Sequence, residues 1–278
     1  MRLAAIHTYP VKGCRRLELT TARVEPWGLA GDRRWMIVDH DGVGVTQRQL
    51  PGLVAVRPRL RPGGLLLHAA GRAALEVAEP VDGDPIEVRV FAHLPPAPAR
   101  VAEAAAGDWL SQVLDQKVRL VWLADPTVRP IPDVTGVEAA DRVSLADGYP
   151  LLLTNQGSLD ALNGWLRESD PAAGPLPMTR FRPNLVIAGA EPWAEDAWLG
   201  RRIRIGPVAF RVAKPCGRCL VTTVDQETGV RGREPLRALA RHRNINQQLV
   251  FGQNLVPDLD ATRGEPTLTV GDPVEPLS

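Results

Sequence analysis

The chain has 278 residues, 44% of them apolar, with 33 basic against 32 acidic side chains for a net charge of +1. That is enough for one large or two modest globular domains with buried cores, and the near-neutral balance excludes bulk attraction to nucleic acid or an anionic membrane surface. There is no run of about 18 apolar residues to span a bilayer, the start lacks the apolar stretch of about 7–15 residues that a secretory signal needs, and three cysteines make no disulfide framework. The expectation is a cytoplasmic protein with neither nucleic-acid nor membrane partners. The basic residues are nearly all arginine, a bias that GC-rich coding DNA explains, with lysine only at Lys12, Lys117 and Lys214.

In chain order, the N-terminal third is punctuated by glycine and proline. Alternating or β-branched runs predict strands over Leu17 to Val24, Trp35 to Val38, Leu65 to His68 and Ile86 to Phe91. Asp39-His40-Asp41-Gly42 reads as a hairpin turn, its glycine supplying the positive φ, with antiparallel strands on either side. Pro95-Pro96-Ala97-Pro98 lacks ladder donors and predicts a loop before a helix. That helix is expected over Arg100 to Leu114, with Val101, Ala104, Ala105, Trp109 and Val113 on its apolar face. A second helix over Ser158 to Leu166 carries Leu159, Leu162 and Leu166 on one side, and a third starts near Pro235, a residue suited to a first helical position. Further strands are expected over Val118 to Leu123, Leu151 to Leu153, Leu185 to Ile187, Ile203 to Ile205, Val208 to Val212 and Thr267 to Val270. Many strands with three scattered helices predict a mainly-β α+β fold with barrel or sandwich packing. The boundary is placed near residue 120, giving an N-terminal β domain over 1–120 and a second domain over 121–278.

The chemistry concentrates in Lys214-Pro215-Cys216-Gly217-Arg218-Cys219-Leu220-Val221-Thr222-Thr223-Val224-Asp225. Two of the three cysteines stand there beside an arginine and a hydroxyl-rich run, Leu220 to Val224, that reads as β. A structural zinc site needs four protein ligands and no second pair exists; a redox dithiol should open a helix after a strand. What remains is one thiolate binding a soft metal whose other ligands come from a cofactor, a description that molybdenum held by a pterin dithiolene fits. His7, His40, His68, His93 and His242 lack zinc-protease spacing, and no Walker loop, dinucleotide fingerprint or nucleophile elbow occurs. Three cysteines cannot supply a four-thiolate iron–sulfur cluster, and no pyridoxal phosphate site is expected.

The string RCLVTTVD with its Thr228-Gly229 turn resembles the signature of MOSC-domain proteins. Four further blocks agree in order: Tyr9-Pro10-Val11-Lys12, Gly31-Asp32-Arg33-Arg34-Trp35, Phe181-Arg182-Pro183-Asn184 and Phe251-Gly252-Gln253-Asn254. The similarity is to the branch with an extra N-terminal β domain, which includes the mitochondrial amidoxime-reducing component and bacterial reductases of N-hydroxylated compounds. It implies a MOSC-type β-barrel plus a smaller N-terminal β domain whose first strands lie against that barrel. It also implies a molybdenum–molybdopterin cofactor (Moco) and a small N-hydroxylated substrate, a hydroxylamine or amidoxime, reduced to the amine. Electrons are expected from an external protein of ferredoxin or cytochrome b5 type with its reductase, since no fused ferredoxin-like domain is present. A cofactor carrier, or a sulfuration and delivery module without turnover, is the alternative. The family register selects Cys219 as metal ligand and catalytic residue, leaving Cys216 as a supporting or packing residue, with Arg218 favouring the Cys219 anion. Lys12, Arg33 and Arg182 match positions that contact the pterin phosphate or ring system. Asp147, Gly148 and Tyr149 match a cofactor-binding turn in which main-chain contacts transfer, and Gly13 and Gly217 stand where animal relatives carry serine. Asn254 should border the pocket. Asp225 serves either as acceptor for the Cys219 loop or as a turn aspartate.

Overall fold

The apolar residues change parity at Thr20, odd at Leu17 and Leu19, even at Ala22 and Val24. Because side chains alternate across a strand, one continuous strand cannot bury both sets on the same face. In the computed structural model, which describes residues 1–133, 135–171, 174–259 and 266–277, the chain accordingly breaks there. Leu17–Leu19 pairs with Arg2–Thr8, and Thr21–Glu25 pairs instead with Gly28–Leu29 and Thr267–Thr269. The single strand expected over Leu17 to Val24 is thus two, in different sheets.

The architecture is mainly β, with three α-helices among the described residues. The largest sheet runs, strand by strand, Val274–Pro276, Arg202–Ile205, Val208–Gly217, Gln248–Asp258, Leu151–Asn155, Leu185–Ala188, Arg2–Thr8 and Leu17–Leu19. Leu151–Asn155 and Leu185–Ala188 are parallel, and helix Gln156–Ser169 between them makes the crossover that parallel neighbours require. Asn155 starts that helix by accepting the Gly157 N–H at 3.0 Å, and Leu159, Leu162 and Leu166 are buried as their spacing predicts. The N-terminal strand Arg2–Thr8 therefore belongs to the sheet built from the C-terminal half. A second sheet joins Pro85–Val88, Ala97–Val101, Arg119–Trp122, Trp35–Val38 and Val11–Lys12. One apolar core fills the large sheet around Leu3, Leu153, Ile203, Phe210 and Leu255, and another lies under the second sheet around Trp35, Leu53, Leu110 and Leu120. No helix among the described residues is long and apolar enough to cross a membrane.

Several local expectations change. Ala97–Val101 is a strand despite its proline, with Pro98 opposite Glu87. Val101 N–H bonds Asp84 O on one side and Ala102 N–H bonds Leu120 O on the other. By alternation Pro98 faces the second side, where pairing reaches only Arg100 and Val101, so its missing donor has no partner to fail. The following helix spans Ala104–Leu114, not Arg100 to Leu114, and its fully buried side is Ala106, Leu110 and Leu114, one step round from the face expected from Val101, Ala104 and Ala105. The Ile86 to Phe91 strand closes at Val88, which frees Phe91 to leave the ladder. Asp39 to Gly42 forms the turn, yet only Val38 and Gly44 bridge across it, and Trp35–Val38 takes Arg119–Trp122 as its main partner. The Leu220 to Thr223 run is a 3₁₀ turn rather than a strand, its Thr222 and Thr223 hydroxyls bonding back to Cys219 O and Leu220 O at 2.9 and 2.8 Å.

Candidate functional site

The blocks singled out by sequence meet where the two large sheets adjoin. Tyr9 is fully buried, its ring stacked by the Arg33 guanidinium at 4.5 Å and the Arg182 guanidinium at 4.2 Å. Asp32 accepts the Tyr9 N–H at 2.8 Å and pairs with Arg33, while Asn184 accepts from Arg33 at 3.0 Å. Arg182 donates to Gln226 at 2.8 Å, and Gln226 and Gln47 exchange amide hydrogen bonds at 3.0 and 2.8 Å. Gln47 also donates to Gly13 O at 2.7 Å. Both arginines take left-handed backbone, φ 46° and 55°, which turns each side chain out of its loop toward the ring. Spacing alone could not reveal Gln47 and Gln226, whose partner lies 179 residues away.

A cavity of about 450 Å³ opens beside this cluster. Every residue expected at the site lines it: Lys12, Gly13, Arg33, Asp147, Gly148, Tyr149, Arg182, Gly217, Arg218, Cys219 and Asn254. The lining holds six cationic side chains (Lys12, Arg33, Arg48, Arg182, Lys214, Arg218) and two carboxylates (Asp133, Asp147), an excess of four positive charges. Lys12 pairs with Asp147, and Lys214 with Asp133. The Lys12 side chain is 8% exposed and that of Asp147 62%, so the lysine carries more of the desolvation cost. Burial pulls the Lys12 ammonium below its ordinary value although Asp147 opposes this. For Asp147, crowding by the cavity walls would raise the carboxyl, but Lys12, Arg48 and Arg33 outweigh it and hold it at about 2. Water reaching that side chain screens part of this attraction.

The sulfur chemistry differs from expectation in one respect. The Arg218 guanidinium does not reach Cys219; it donates to Cys216 Sγ at 2.7 Å and to Phe181 O at 2.7 Å. The cation on Cys219 Sγ is Arg48, at 3.3 Å, itself stacked on Phe91 at 4.9 Å. Sequence proximity suggested the wrong arginine because Arg218 points across the strand end toward Phe181, whereas Arg48 arrives from a loop 171 residues away. Cys216 lines the cavity as well and is no packing residue. Asp225 is a turn aspartate, accepting the N–H groups of Glu227 and Thr228 at 3.0 and 2.9 Å, and it also clamps Arg180 at 3.2 Å. Tyr149 commits its hydroxyl proton to Thr135 O at 2.7 Å, so toward a ligand its oxygen can only accept. Cys14 is fully buried and burial pushes its thiol up to about 12, so it remains protonated and inert.

These residues fit an anionic, thiolate-anchored group. The cavity combines excess positive charge, a thiol reachable from solvent, and space above Gly148, where an added Cβ would meet nothing within 4 Å. Arg218 Nε is buried with no hydrogen-bond partner among the described residues.

The sequence profile of the MOSC N-terminal beta barrel domain matches residues 1–117, and that of the MOSC domain matches residues 140–275. The chain belongs to the MOSC family. This MOSC protein is 32% identical over 286 residues to mitochondrial amidoxime-reducing component 1 of Mus musculus, covering 98% of this chain and 81% of that one. It is also 32% identical to the Homo sapiens protein of the same name, covering 98% and 82%. Molybdenum cofactor sulfurase of Danio rerio is 30% identical, with 99% of this chain spanning 34% of that protein. The relatives point to an association of this MOSC protein with molybdenum cofactor.

Gly13 and Gly217, both at the cavity, behave differently in this MOSC protein. Gly13 has φ +81° and its Cβ would lie 3.0 Å from Leu53 Cδ1, whereas a Cβ on Gly217 meets only the flexible Gln248 side chain, at 3.3 Å. Gly13→Ser is therefore expected to cost about 1–2 kcal/mol from backbone strain alone, and Gly217→Ser to stay within about 0.5 kcal/mol of the parent. Urea unfolding of the two variants checks this, and equal stability would place the strain elsewhere.

Proposed function

We propose that this chain is a molybdenum-cofactor-dependent oxidoreductase that reduces N-hydroxylated compounds, hydroxylamines to amines and amidoximes to amidines, with electrons from an external ferredoxin- or cytochrome b5-type carrier. The observation that carries the reading is the Cys219 thiol set in a cavity with an excess of four positive charges. The amidoxime-reducing name of relatives that match almost the whole chain supports this reaction class. Oxygen-atom abstraction coupled to a two-electron change is the chemistry the cofactor supplies when bound.

The protein's own part is binding and orientation. Cys219 would ligate the metal as thiolate, with the Arg48 N–H 3.3 Å from its sulfur. Lys12, Arg33 and Arg182 would hold the phosphate. The two guanidiniums are already fixed by Asp32, Asn184, Gln226 and the Tyr9 ring, so little side-chain freedom remains to be lost on binding. Gly148 leaves its turn open for main-chain contact. Asp147, held near 2, is ionised at neutral pH, so it accepts hydrogen bonds and is no proton donor there. Asn254 borders the same wall from the strand Gln248–Asp258, opposite Leu152 and Lys214.

The balance is one R–NHOH, two electrons and two protons giving R–NH₂ and water. Holoprotein with reduced viologen should therefore form amine from a hydroxylamine and amidine from an amidoxime, whereas a pyridine nucleotide alone should not drive it. Product above that of apoprotein is the expected result. No product with any of several such substrates would turn the reading toward a cofactor carrier or delivery module, which the match to a molybdenum cofactor sulfurase favours.

A further inference from the structure

Charge in this nearly neutral chain is not evenly spread. Between Arg231 and Arg243 stand five arginines, at 231, 233, 237, 241 and 243, and one carboxylate, Glu234, an excess of four positive charges in thirteen residues of a protein whose net charge is +1. Arg243 is paired with Asp196, and Glu234 reaches Arg237 only at 4.0 Å while accepting the Ala238 N–H. Arg233 and Arg241 are exposed, and their side chains have no ion pair or hydrogen bond among the described residues. The nearby acids do not neutralise them: Asp225 is held by its turn and Arg180, and Glu227 by Arg15 and Arg16.

This arginine segment wraps the 3₁₀ turn that follows Cys219. Gly232 N–H bonds Thr223 O at 2.9 Å, and Val224 and Arg231 bridge antiparallel. Two large apolar residues flank this contact and stay in water: Leu220 at the start of the turn, 52% exposed, and Val230 just before Arg231, 68% exposed. Leu220 directly follows Cys219. Arg231 donates to Arg48 O at 2.8 Å, and Arg48 donates to Cys219 Sγ. The surface thus connects to the cavity thiol through one intervening residue.

We propose that this face, which carries the exposed Arg233, Arg237 and Arg241 on the segment against the turn of Leu220, docks an acidic one-electron carrier protein and sets its redox group against the mouth of the cavity. The inference rests on the reductase reading and assigns to its electron carrier a docking face. Exposed cations without carboxylate partners, with apolar side chains in water nearby, suit a partner that carries carboxylates of its own; the charges steer the encounter and the apolar contacts exclude water once docked. A carrier that delivers electrons singly must dock and leave for each transfer, which favours a small interface dominated by steering. Nucleic acid is the less suited occupant because the cationic segment is short and the chain as a whole carries a net charge of only +1.

The test uses holoprotein and two probes, the soluble heme domain of cytochrome b5 and a plant-type [2Fe–2S] ferredoxin, with binding followed by calorimetry at low and high salt. At least one probe should bind, with affinity falling steeply as salt rises. Arg233→Glu combined with Arg241→Glu should weaken it about tenfold or more and slow carrier-driven reduction, while viologen-driven turnover stays unchanged. Arg201→Glu with Arg204→Glu, both exposed, the one next to and the other within the strand Arg202–Ile205, reverses equal charge and should change binding less than about twofold. Failure of both probes to bind, equal effects of the two double variants, or binding of a single-stranded oligonucleotide but of neither carrier would overturn the proposal. Absence of viologen-driven turnover in the parent protein would instead remove the reductase reading, and the binding comparison would still decide what this face does.

Discussion

Cys219→Ala is expected to abolish molybdenum retention and N-reductive turnover while leaving the fold intact. The side chain is only partly buried, and its sulfur contacts Arg48 across the cavity rather than any apolar core, so truncation should shift stability by less than about 0.5 kcal/mol. Losing the one thiolate that anchors the metal leaves charge contacts alone to hold the group. Cys216→Ala should be much milder, because Arg218 keeps its second hydrogen bond, to Phe181 O, when the Cys216 sulfur is gone. Metal content by mass spectrometry, with thermal unfolding as the control for folding, separates the two variants. Equal metal loss would make the site a two-cysteine site.

Arg182→Ala is the second large effect. Removing one partner of a charged phosphate contact costs about 1.5–3 kcal/mol, which corresponds to roughly a 10- to 150-fold weaker cofactor affinity. The same change removes the hydrogen bond to Gln226 and the stack on Tyr9, so the apoprotein should also lose about 1–2 kcal/mol of stability. Arg182→Lys should restore charge without the planar fork and rescue only part of the affinity. Pterin occupancy after dialysis gives the reading, and full occupancy in Arg182→Ala would place this residue outside the site.

Much of the fold was legible because periodicity reports which face is buried. Leu159, Leu162 and Leu166 line one side of a helix as spaced, and Trp35 to Val38 forms the strand its residues favour. Pro98 misled because a proline forbids only the hydrogen bond on its own side, and sequence does not say which sides have partners. Leu220 to Thr223 misled because β-branched residues favour strands on average, while here two threonine hydroxyls stabilise a tight turn by bonding back three residues. The placing of Lys12, Arg33, Arg182 and Cys219 on one cavity was legible through short blocks, each held by its own local geometry. What stayed hidden were pairings between loops far apart in the chain: Arg48 on Cys219, Gln47 with Gln226, and Asn184 on Arg33. Single glutamines and arginines carry no local signal of a partner. Composition held one unused hint, since two of the three lysines, Lys12 and Lys214, line the cavity in a chain that otherwise uses arginine.

Metal and pterin analysis of protein made in a host with intact molybdenum cofactor synthesis tests the central claim most directly. With one thiolate available as anchor, the expected result is about one molybdenum and one pterin per chain, retained through gel filtration. Protein that emerges folded from such a host with neither molybdenum nor pterin would contradict it.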